Sequence, residues 1–215
     1  MRKTVISRAC YARSVLPQSW IFDGGDSQTD VPIIFSVFVI CTDERVILVD
    51  AGCETMPDFT MYDHKSPLLA LKEQGVLPSD VTDVIITHAH HDHIECVKHF
   101  TNAVVYIQED EYRHGQQYLK NNPTVHTFKE RASLTENVTV VNVGGHSKGS
   151  CVVECCTEDG IYVLCGDECY SLYNIQNRIP TANPYSCERS QRFIDTYTKP
   201  PYTCLLCHDS GEKGC

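Results

Sequence analysis

The chain has 215 residues, of which 42% are hydrophobic and 21% charged, and its 18 basic and 28 acidic side chains give a net charge of -10. This is the composition of a globular protein long enough to bury a core, and we expect a single domain over residues 1–215. The densest basic cluster is Arg2-Lys3 with Arg8 and Arg13. A nucleic-acid binder would usually present a larger basic stripe, so we expect no nucleic-acid partner.

The sequence predicts neither a transmembrane helix nor a signal peptide. The apolar run 31–41 is about half as long as a membrane-crossing helix requires, and Pro32 and Ser36 interrupt it. Polar and charged residues break the stretch 4–18, where a signal peptide would need an unbroken apolar segment. We therefore expect a cytoplasmic protein with no membrane partner.

The chain contains 13 cysteines, which is a high count. Secreted disulfide scaffolds are short and usually carry an even number of cysteines, whereas this number is odd. Cys204 and Cys207 have the spacing of a zinc or redox pair, but no second pair of that spacing completes a four-cysteine site. We expect reduced cysteines that pack as small hydrophobic residues and do not bind a metal.

Predicted strands cluster towards both ends of the chain, with helices between and after them. Two β-branched runs around a short polar turn predict a hairpin at Ile33–Cys41 and Val46–Val49. Ser66 and Pro67 predict the start of a helix that ends at Gly75. The remaining predicted elements, in chain order, are a strand at Val81–Thr87, a short helix at Ile94–Phe100, a strand at Ala103–Ile107, a helix at Gln108–Lys120, strands at Val138–Val143, Cys151–Cys156 and Ile161–Cys165, a helix near Cys187–Thr198 and a strand at Thr203–Cys207.

This order predicts the fold class. Hairpins in both halves favour two sheets packed face to face, with helices on the outside, over a doubly wound sheet. We therefore expect an α/β (α+β) protein that forms a four-layer αββα sandwich.

The densest group of ligand-type side chains lies in the segment 87–93, between a predicted buried strand and a predicted helix. Residues i and i+2 of an extended segment point the same way, so His88 and His90 can bind one ion together. As the chain turns into the helix, Asp92 and His93 can face a second ion. Imidazole and carboxylate groups suit zinc, and also iron or manganese.

Three more candidate ligands, His146, Asp167 and His208, each stand just beyond a predicted strand. Ligands at four strand ends are what a metal site on one rim of a sandwich requires. We therefore expect a metal site rather than a run of solvated histidines. His91 has no place in this set, and we expect its side chain to point outward.

The ordered ligand pattern, which starts with His88-x-His90-x-Asp92-His93, resembles the metallo-β-lactamase superfamily over nearly the whole chain. Asp50, in Leu48-Val49-Asp50-Ala51-Gly52, matches an early aspartate of that family, which supports the metal-site loops. The resemblance implies the αββα fold and two divalent cations, with zinc expected first and iron or manganese as alternatives.

The resemblance also implies a role for each ligand. One cation would be held by His88, His90 and His146, the other by Asp92, His93 and His208, and Asp167 would bridge the pair. A bridging hydroxide would attack an ester-type carbonyl of a small-molecule substrate. Asp92 would orient the hydroxide and pass a proton to the leaving alkoxide.

Tyr170 indicates a branch of the superfamily, because it stands three residues after Asp167. This spacing looks like the N-acyl-homoserine lactonase pattern, in which the tyrosine donates a hydrogen bond to the lactone carbonyl. The resemblance thus implies a quorum-quenching lactonase with Asp92 and Tyr170 as catalytic residues. A buried tyrosine that satisfies a backbone carbonyl is the competing interpretation of Tyr170.

Two other functions stay open. A thioester hydrolase of the hydroxyacylglutathione type usually carries a C-terminal helical extension, and we expect none here because seven residues follow His208 in the sequence. A non-catalytic metal-binding scaffold would have lost ligands that this chain keeps. A monomer and a homodimer are both compatible with the sequence. Five side chains are candidates for lining a pocket, although such residues more often belong to the core: Trp20, Phe22, Phe59, Met61 and Tyr62.

Overall fold

A computed structural model describes residues 4–211 and contains two β-sheets. The six-stranded sheet has the order β1 (Val5–Pro17), β2 (Asp30–Cys41), β3 (Val46–Val49), β4 (Asp83–Ile86), β5 (Val104–Gln108) and β6 (Thr124–Phe128). In the five-stranded sheet, β7 (Arg131–Ser133), β8 (Val138–Asn142), β9 (Cys151–Thr157), β10 (Gly160–Leu164) and β11 (Tyr202–Leu205) follow one another from edge to edge. Strands β3 to β6 run parallel, as do β10 and β11, and the other neighbouring strands are antiparallel.

Among the described residues, five α-helices connect or follow these strands, and three short 3₁₀ helices lie beside them. The α-helices are α1 (Pro67–Glu73), α2 (His91–Ile94), α3 (Glu109–Gly115), α4 (Leu172–Asn177) and α5 (Cys187–Tyr197). The 3₁₀ helices are Gln18–Trp20, Glu95–His99 and Gly166–Glu168. Within residues 4–211, none of the helices has the length and apolar character needed to cross a membrane.

The layers follow from alternating side chains along the strands. On β2, Phe38 and Ile40 point into a cluster between the sheets, where they join residues of β9 such as Val153. The intervening Val39 points the other way, into a cluster that contains Leu71 of α1. A third cluster forms where the outer face of the second sheet packs against α5. The predicted four-layer αββα sandwich is therefore confirmed.

Strand β1 was not predicted from the sequence, although it pairs with β2 along its whole length. The register shifts between Cys10 and Ala12, which marks a β-bulge. Buried positions change phase there, from Ala9 and Tyr11 before the bulge to Ala12 and Leu16 after it. A bulge breaks the period-two pattern by which a strand is recognised in a sequence.

Three further elements were also not predicted, namely β6, β7 and α4, and α3 is shorter than the predicted helix. The side chain of Gln108 caps α3 by accepting hydrogen bonds from the backbone N–H groups of Asp110 and Glu111. The α-helix ends at Gly115, five residues before the predicted end at Lys120. Short edge strands and short helices carry few apolar residues, so hydrophobic periodicity predicts them poorly.

The cysteines largely follow the expectation of packing residues. Eleven of the described cysteines are free thiols, and most of them are buried. Burial raises the pKa of the thiols of Cys53 and Cys155 to about 12, so both are protonated near neutral pH and chemically inert. Cys10 is the exception, because it is disulfide-bonded, and the expectation of a fully reduced chain is wrong there.

Candidate metal centre

The seven predicted ligands lie at one rim of the sandwich. His88 and His90 follow β4, and Asp92 and His93 lie on α2 directly after them. The other three follow strands of the second sheet: His146 after β8, Asp167 after β10 and His208 after β11.

Three imidazoles form the first donor group. The Nδ1 atom of His90 lies 3.0 Å from Nε2 of His88 and 3.0 Å from Nε2 of His146. Nitrogen ligands of one tetrahedral zinc ion lie roughly 3.3 Å apart, so these three atoms fit a single ion. Burial lowers the pKa of His88 well below its usual value and that of His146 to about 4. Both rings are therefore neutral, which is the form that binds a metal.

A second group forms around His93 and His208. Their Nε2 atoms lie 3.0 Å and 3.2 Å from Oδ1 of Asp167. Both nitrogens are buried, and despite these short distances neither makes a well-aligned hydrogen bond among the described residues. Asp92 Oδ2 lies 3.6 Å from the first nitrogen and 3.7 Å from the second. Buried polar atoms that converge without partners are costly in a protein, and a shared cation would satisfy them.

Asp167 lies between the two groups. Its Oδ1 faces His93 and His208, while its Oδ2 lies 3.6 Å from Nε2 of both His88 and His146. Burial on its own would raise the pKa of Asp167, but the neighbouring imidazoles, led by that of His93, hold it well below its usual range. An ionised carboxylate with one oxygen towards each donor group fits a ligand shared by two cations.

Asp50 fixes the orientation of His93. It follows β3 with a φ of +60°, a conformation that aspartate tolerates better than most residues. Its Oδ2 accepts hydrogen bonds from Nδ1 of His93 at 2.8 Å and from Oγ1 of Thr87 at 2.9 Å, and its Oδ1 accepts one from the Thr87 backbone N–H at 2.8 Å. His208 is held similarly, because its Nδ1 lies 2.9 Å from the Ile34 carbonyl oxygen. Both rings thus turn Nε2 towards the donor group.

Glu111 holds two loops of the donor groups together, a role that was not predicted from the sequence. Its Oε2 accepts a hydrogen bond from the Ala89 backbone N–H at 2.8 Å, between the two histidines of the first motif. Its Oε1 accepts from Oγ of Ser147 at 2.7 Å and from the Gly149 backbone N–H at 2.9 Å. The carboxylate therefore ties the loop of His88 and His90 to the loop of His146.

Glu168 is a second supporting carboxyl group that the sequence analysis missed. Its Oε1 accepts hydrogen bonds from the backbone N–H groups of Gly145 at 2.9 Å and His146 at 3.1 Å, and from Oγ of Ser150 at 2.5 Å. Its Oε2 is buried and has no hydrogen-bond partner among the described residues. Burial raises the pKa of Glu168 to about 7. The only signal in the sequence is its position directly after Asp167.

A cavity of about 290 Å³ opens onto the centre. Its lining combines apolar side chains with members of the donor groups: Leu16, Trp20, Ile33, Phe35, Met56, Asp58, Phe59, His90, His91, Asp92, Asp167, Tyr170 and His208. Of the five predicted pocket candidates, Trp20 and Phe59 line this cavity, whereas Phe22, Met61 and Tyr62 do not.

His91 corrects one expectation. It lines the cavity, and its Nδ1 lies 3.0 Å from the hydroxyl oxygen of Tyr118. Its side chain is therefore packed against the protein and does not point outward. It belongs to neither donor group.

Tyr170 lies on the wall of this cavity with its ring stacked on that of His208, at a centroid distance of 5.1 Å. Its hydroxyl donates a hydrogen bond of 2.5 Å to Oδ2 of Asp167 and so is directed at the shared carboxylate. Burial, and then the nearby Asp167, raise the pKa of Tyr170 well above its usual value. The group is thus a protonated hydrogen-bond donor beside the donor groups.

An αββα sandwich with paired histidine and aspartate donors on one rim is the architecture of a metal-dependent hydrolase. The chain belongs to the metallo-beta-lactamase superfamily, whose family model matches residues 32–207.

Individual relatives are more distant. The N-acyl homoserine lactonase AiiB of Agrobacterium fabrum is 25% identical over 184 residues, which cover 67% of this chain and 66% of the relative. An N-acyl homoserine lactonase of Bacillus sp is 24% identical over 209 residues, which cover 83% of this chain and 82% of the relative. The solved structure of AidC, a dizinc quorum-quenching lactonase, shares the fold with a TM-score of 0.78 at 15% identity, over 98% of this chain and 91% of that one. The chain therefore spans about two thirds of the AiiB relative's length.

Proposed function

We propose that this protein is a dinuclear metal-dependent lactonase that opens lactones of the N-acyl-homoserine type. The observation that carries the proposal is the position of Asp167, which turns one carboxylate oxygen towards each donor group. The proposed ligands are His88, His90 and His146 for one cation, Asp92, His93 and His208 for the other, and Asp167 for both. Zinc is the expected metal, and the relative described as dizinc supports it.

Two divalent cations at such a centre supply a Lewis acid for an ester carbonyl and lower the pKa of water enough to provide a nucleophile near neutral pH. Tyr170 supplies a hydrogen bond that moves from Asp167 to the carbonyl oxygen and strengthens as negative charge develops there. Asp92 borders both the cavity and the second group. It would take up the proton that the attacking water or hydroxide loses and deliver it to the alkoxide that leaves when the ring opens.

The cavity supports an acyl lactone as the substrate. Its apolar lining residues, which include Leu16, Trp20 and Phe59, suit a hydrocarbon chain, and its volume suits a small molecule. Asp58 also lines this cavity. Because Asp58 is exposed, solvent screens its charge, and it offers an anionic substrate such as a glutathione thioester no favourable contact. If the substrate is such a lactone, quorum quenching is the biological consequence.

The test is a substrate panel of acyl lactones, glutathione thioesters and β-lactams, assayed with zinc-loaded protein. Asp167→Asn should lose activity, whereas Asp110→Asn, a carboxylate whose partners are Arg113 and Lys148, should not. A glutathione thioester hydrolysed in preference to every lactone would favour the thioester-hydrolase alternative. Tight binding of two zinc ions without turnover of any ester-type substrate would favour the scaffold.

A further inference from the structure

Cys207 lies beside the second donor group and is not among the residues that line the cavity. Its Sγ and the ligand atoms of His93, Asp167 and His208 all lie within 4.8 Å of one another. The distance from Sγ to Oδ1 of Asp167 is 3.8 Å. In a tetrahedral zinc site, a sulfur ligand and an oxygen or nitrogen ligand lie roughly 3.5 Å apart. The sulfur atom is therefore already close to a position from which it can share an ion with this group.

The surroundings of Cys207 differ from those of Asp92, which reaches the same two histidines. Asp92 lines the cavity, whereas Cys207 is 3% exposed and belongs to the core cluster between the two sheets. The two side chains thus belong to different surroundings, one to the cavity lining and the other to the core. A cation held by His93, Asp167, His208 and Cys207 would be four-coordinate, and it would become five-coordinate when Asp92 also binds.

Two observations indicate that the polar atoms at this buried position are not fully satisfied. The Nε2 atoms of His93 and His208 lie within 3.2 Å of Oδ1 of Asp167, yet neither makes a well-aligned hydrogen bond among the described residues. The thiol of Cys207 makes long contacts, at 3.7 Å to the Gly166 carbonyl oxygen and 3.8 Å to Asp167. A thiol is a weak hydrogen-bond donor, so these contacts hold the sulfur loosely.

We propose that Cys207 is a sulfur ligand of the second cation, alongside His93, Asp167 and His208. This inference rests on the proposed dinuclear centre. It departs from the sequence-based expectation that the cysteines bind no metal. On binding, the thiol releases its proton to solvent as the metal–sulfur bond forms. A thiolate is a soft ligand, so the second position should prefer zinc, cobalt or cadmium over manganese.

Cobalt substitution tests the proposal without any assay of activity. Metal-free protein is titrated with Co²⁺ to two equivalents, and the near-ultraviolet absorption is recorded, because thiolate ligation adds an intense sulfur-to-cobalt charge-transfer band. We expect this band in the wild-type protein and its loss in Cys207→Ser. The matched control is Cys155→Ser, since Cys155 is a buried thiol of the same core cluster but lies outside the donor group. That variant should keep the band.

A competition titration on the same proteins measures the affinity of the second site. Cys207→Ser should weaken the second cobalt ion by roughly 10- to 100-fold, the range found when metal-site partners are removed. Cys155→Ser should leave that affinity unchanged. If Cys207→Ser does not fold, the cadmium-113 resonance of the wild-type protein decides the matter, because a sulfur ligand shifts it strongly downfield.

The outcomes separate this inference from the proposed function. Two bound cobalt ions with no charge-transfer band, or a band that persists in folded Cys207→Ser, would overturn the role of Cys207 and leave the dinuclear centre standing. A wild-type protein that binds no cobalt would overturn both.

Discussion

Replacement of Asp50 by asparagine changes the group that orients His93, a proposed metal ligand. Asparagine keeps the size of the side chain and tolerates the φ of +60°, so the backbone is not strained by the change. The carboxylate accepts three hydrogen bonds, two from Thr87 and one from Nδ1 of His93. The amide group of asparagine offers only one acceptor oxygen, and its nitrogen must face either the Thr87 backbone N–H or the His93 ring N–H.

The cost of this change follows from those contacts. A buried N–H without an acceptor costs about 1–3 kcal/mol of unfolding free energy. If His93 keeps its acceptor, that bond changes from charge-assisted to neutral and loses roughly half its strength. Removal of a group that holds a metal-bound histidine lowers metal affinity by roughly 10- to 100-fold, which corresponds to about 1.4–2.7 kcal/mol. We therefore expect Asp50→Asn to fold, with reduced stability and weaker binding of the second ion.

A zinc competition titration and urea unfolding of metal-free protein measure the two effects separately. The matched control is Asp83→Asn, because Asp83 is a buried carboxylate on β4 that pairs with Arg45 at 2.9 Å, at the end of the strand away from the donor groups. Asp83→Asn should lose stability and keep its zinc affinity. Folded Asp50→Asn with wild-type affinity for both ions would refute the reasoning.

Three further changes test other parts of the site. Tyr170→Phe keeps the stacking on His208 but removes the hydroxyl, so both metals should stay bound while kcat on lactones falls by roughly 10- to 1000-fold; an unchanged kcat would count against a catalytic role. Burial raises the pKa of Glu168 from about 4.5, its value in the unfolded chain, to about 7. The contribution of Glu168 to the free energy of unfolding should therefore fall as pH rises from 4.5 through 7, by at most roughly 3 kcal/mol. Glu168→Gln keeps one acceptor oxygen and cannot ionise, so the metal-free variant should lose this pH dependence of stability when urea unfolding is compared at pH 5 and pH 8. An equal fall in stability in the wild-type protein and the variant would exclude the charge of Glu168 as its cause. Trp20→Ala should raise KM for long-chain lactones by roughly tenfold and leave short-chain ones nearly unchanged, because Trp20 lines the cavity against Phe59; an equal effect on both chain lengths would contradict this acyl contact.

The proposed metal ligands were predictable from the sequence because local rules place them. His88 and His90 occupy alternate positions just after a buried strand. Each of the other three, His146, Asp167 and His208, follows a strand that was predicted from the sequence. Strand ends that meet at one rim bring such residues together without any knowledge of distant contacts. The layered fold was predictable for the same reason, since it depends mainly on the order of strands and helices.

The carboxyl groups that support the donor groups were not predictable from the sequence, because their roles depend on partners far along the chain. Glu111 is read from the sequence as an acidic residue in the first turn of a helix, yet its carboxylate accepts hydrogen bonds from Ala89 and Gly149. Glu168 and Cys207 likewise become informative only once the loops around them are in place. Strand β1 escaped prediction because its bulge puts the two halves of its apolar pattern out of phase.

The central claim is a centre that holds two cations through a shared Asp167, and metal stoichiometry tests it most directly. Metal-free protein is repleted with zinc, freed of excess by gel filtration, and analysed for zinc by mass spectrometry and for protein by amino-acid analysis. We predict two zinc ions per wild-type chain and weaker binding of both ions in Asp167→Asn. No bound zinc, iron or manganese in the wild-type protein would contradict the account, as would two ions held by Asp167→Asn with unchanged affinity.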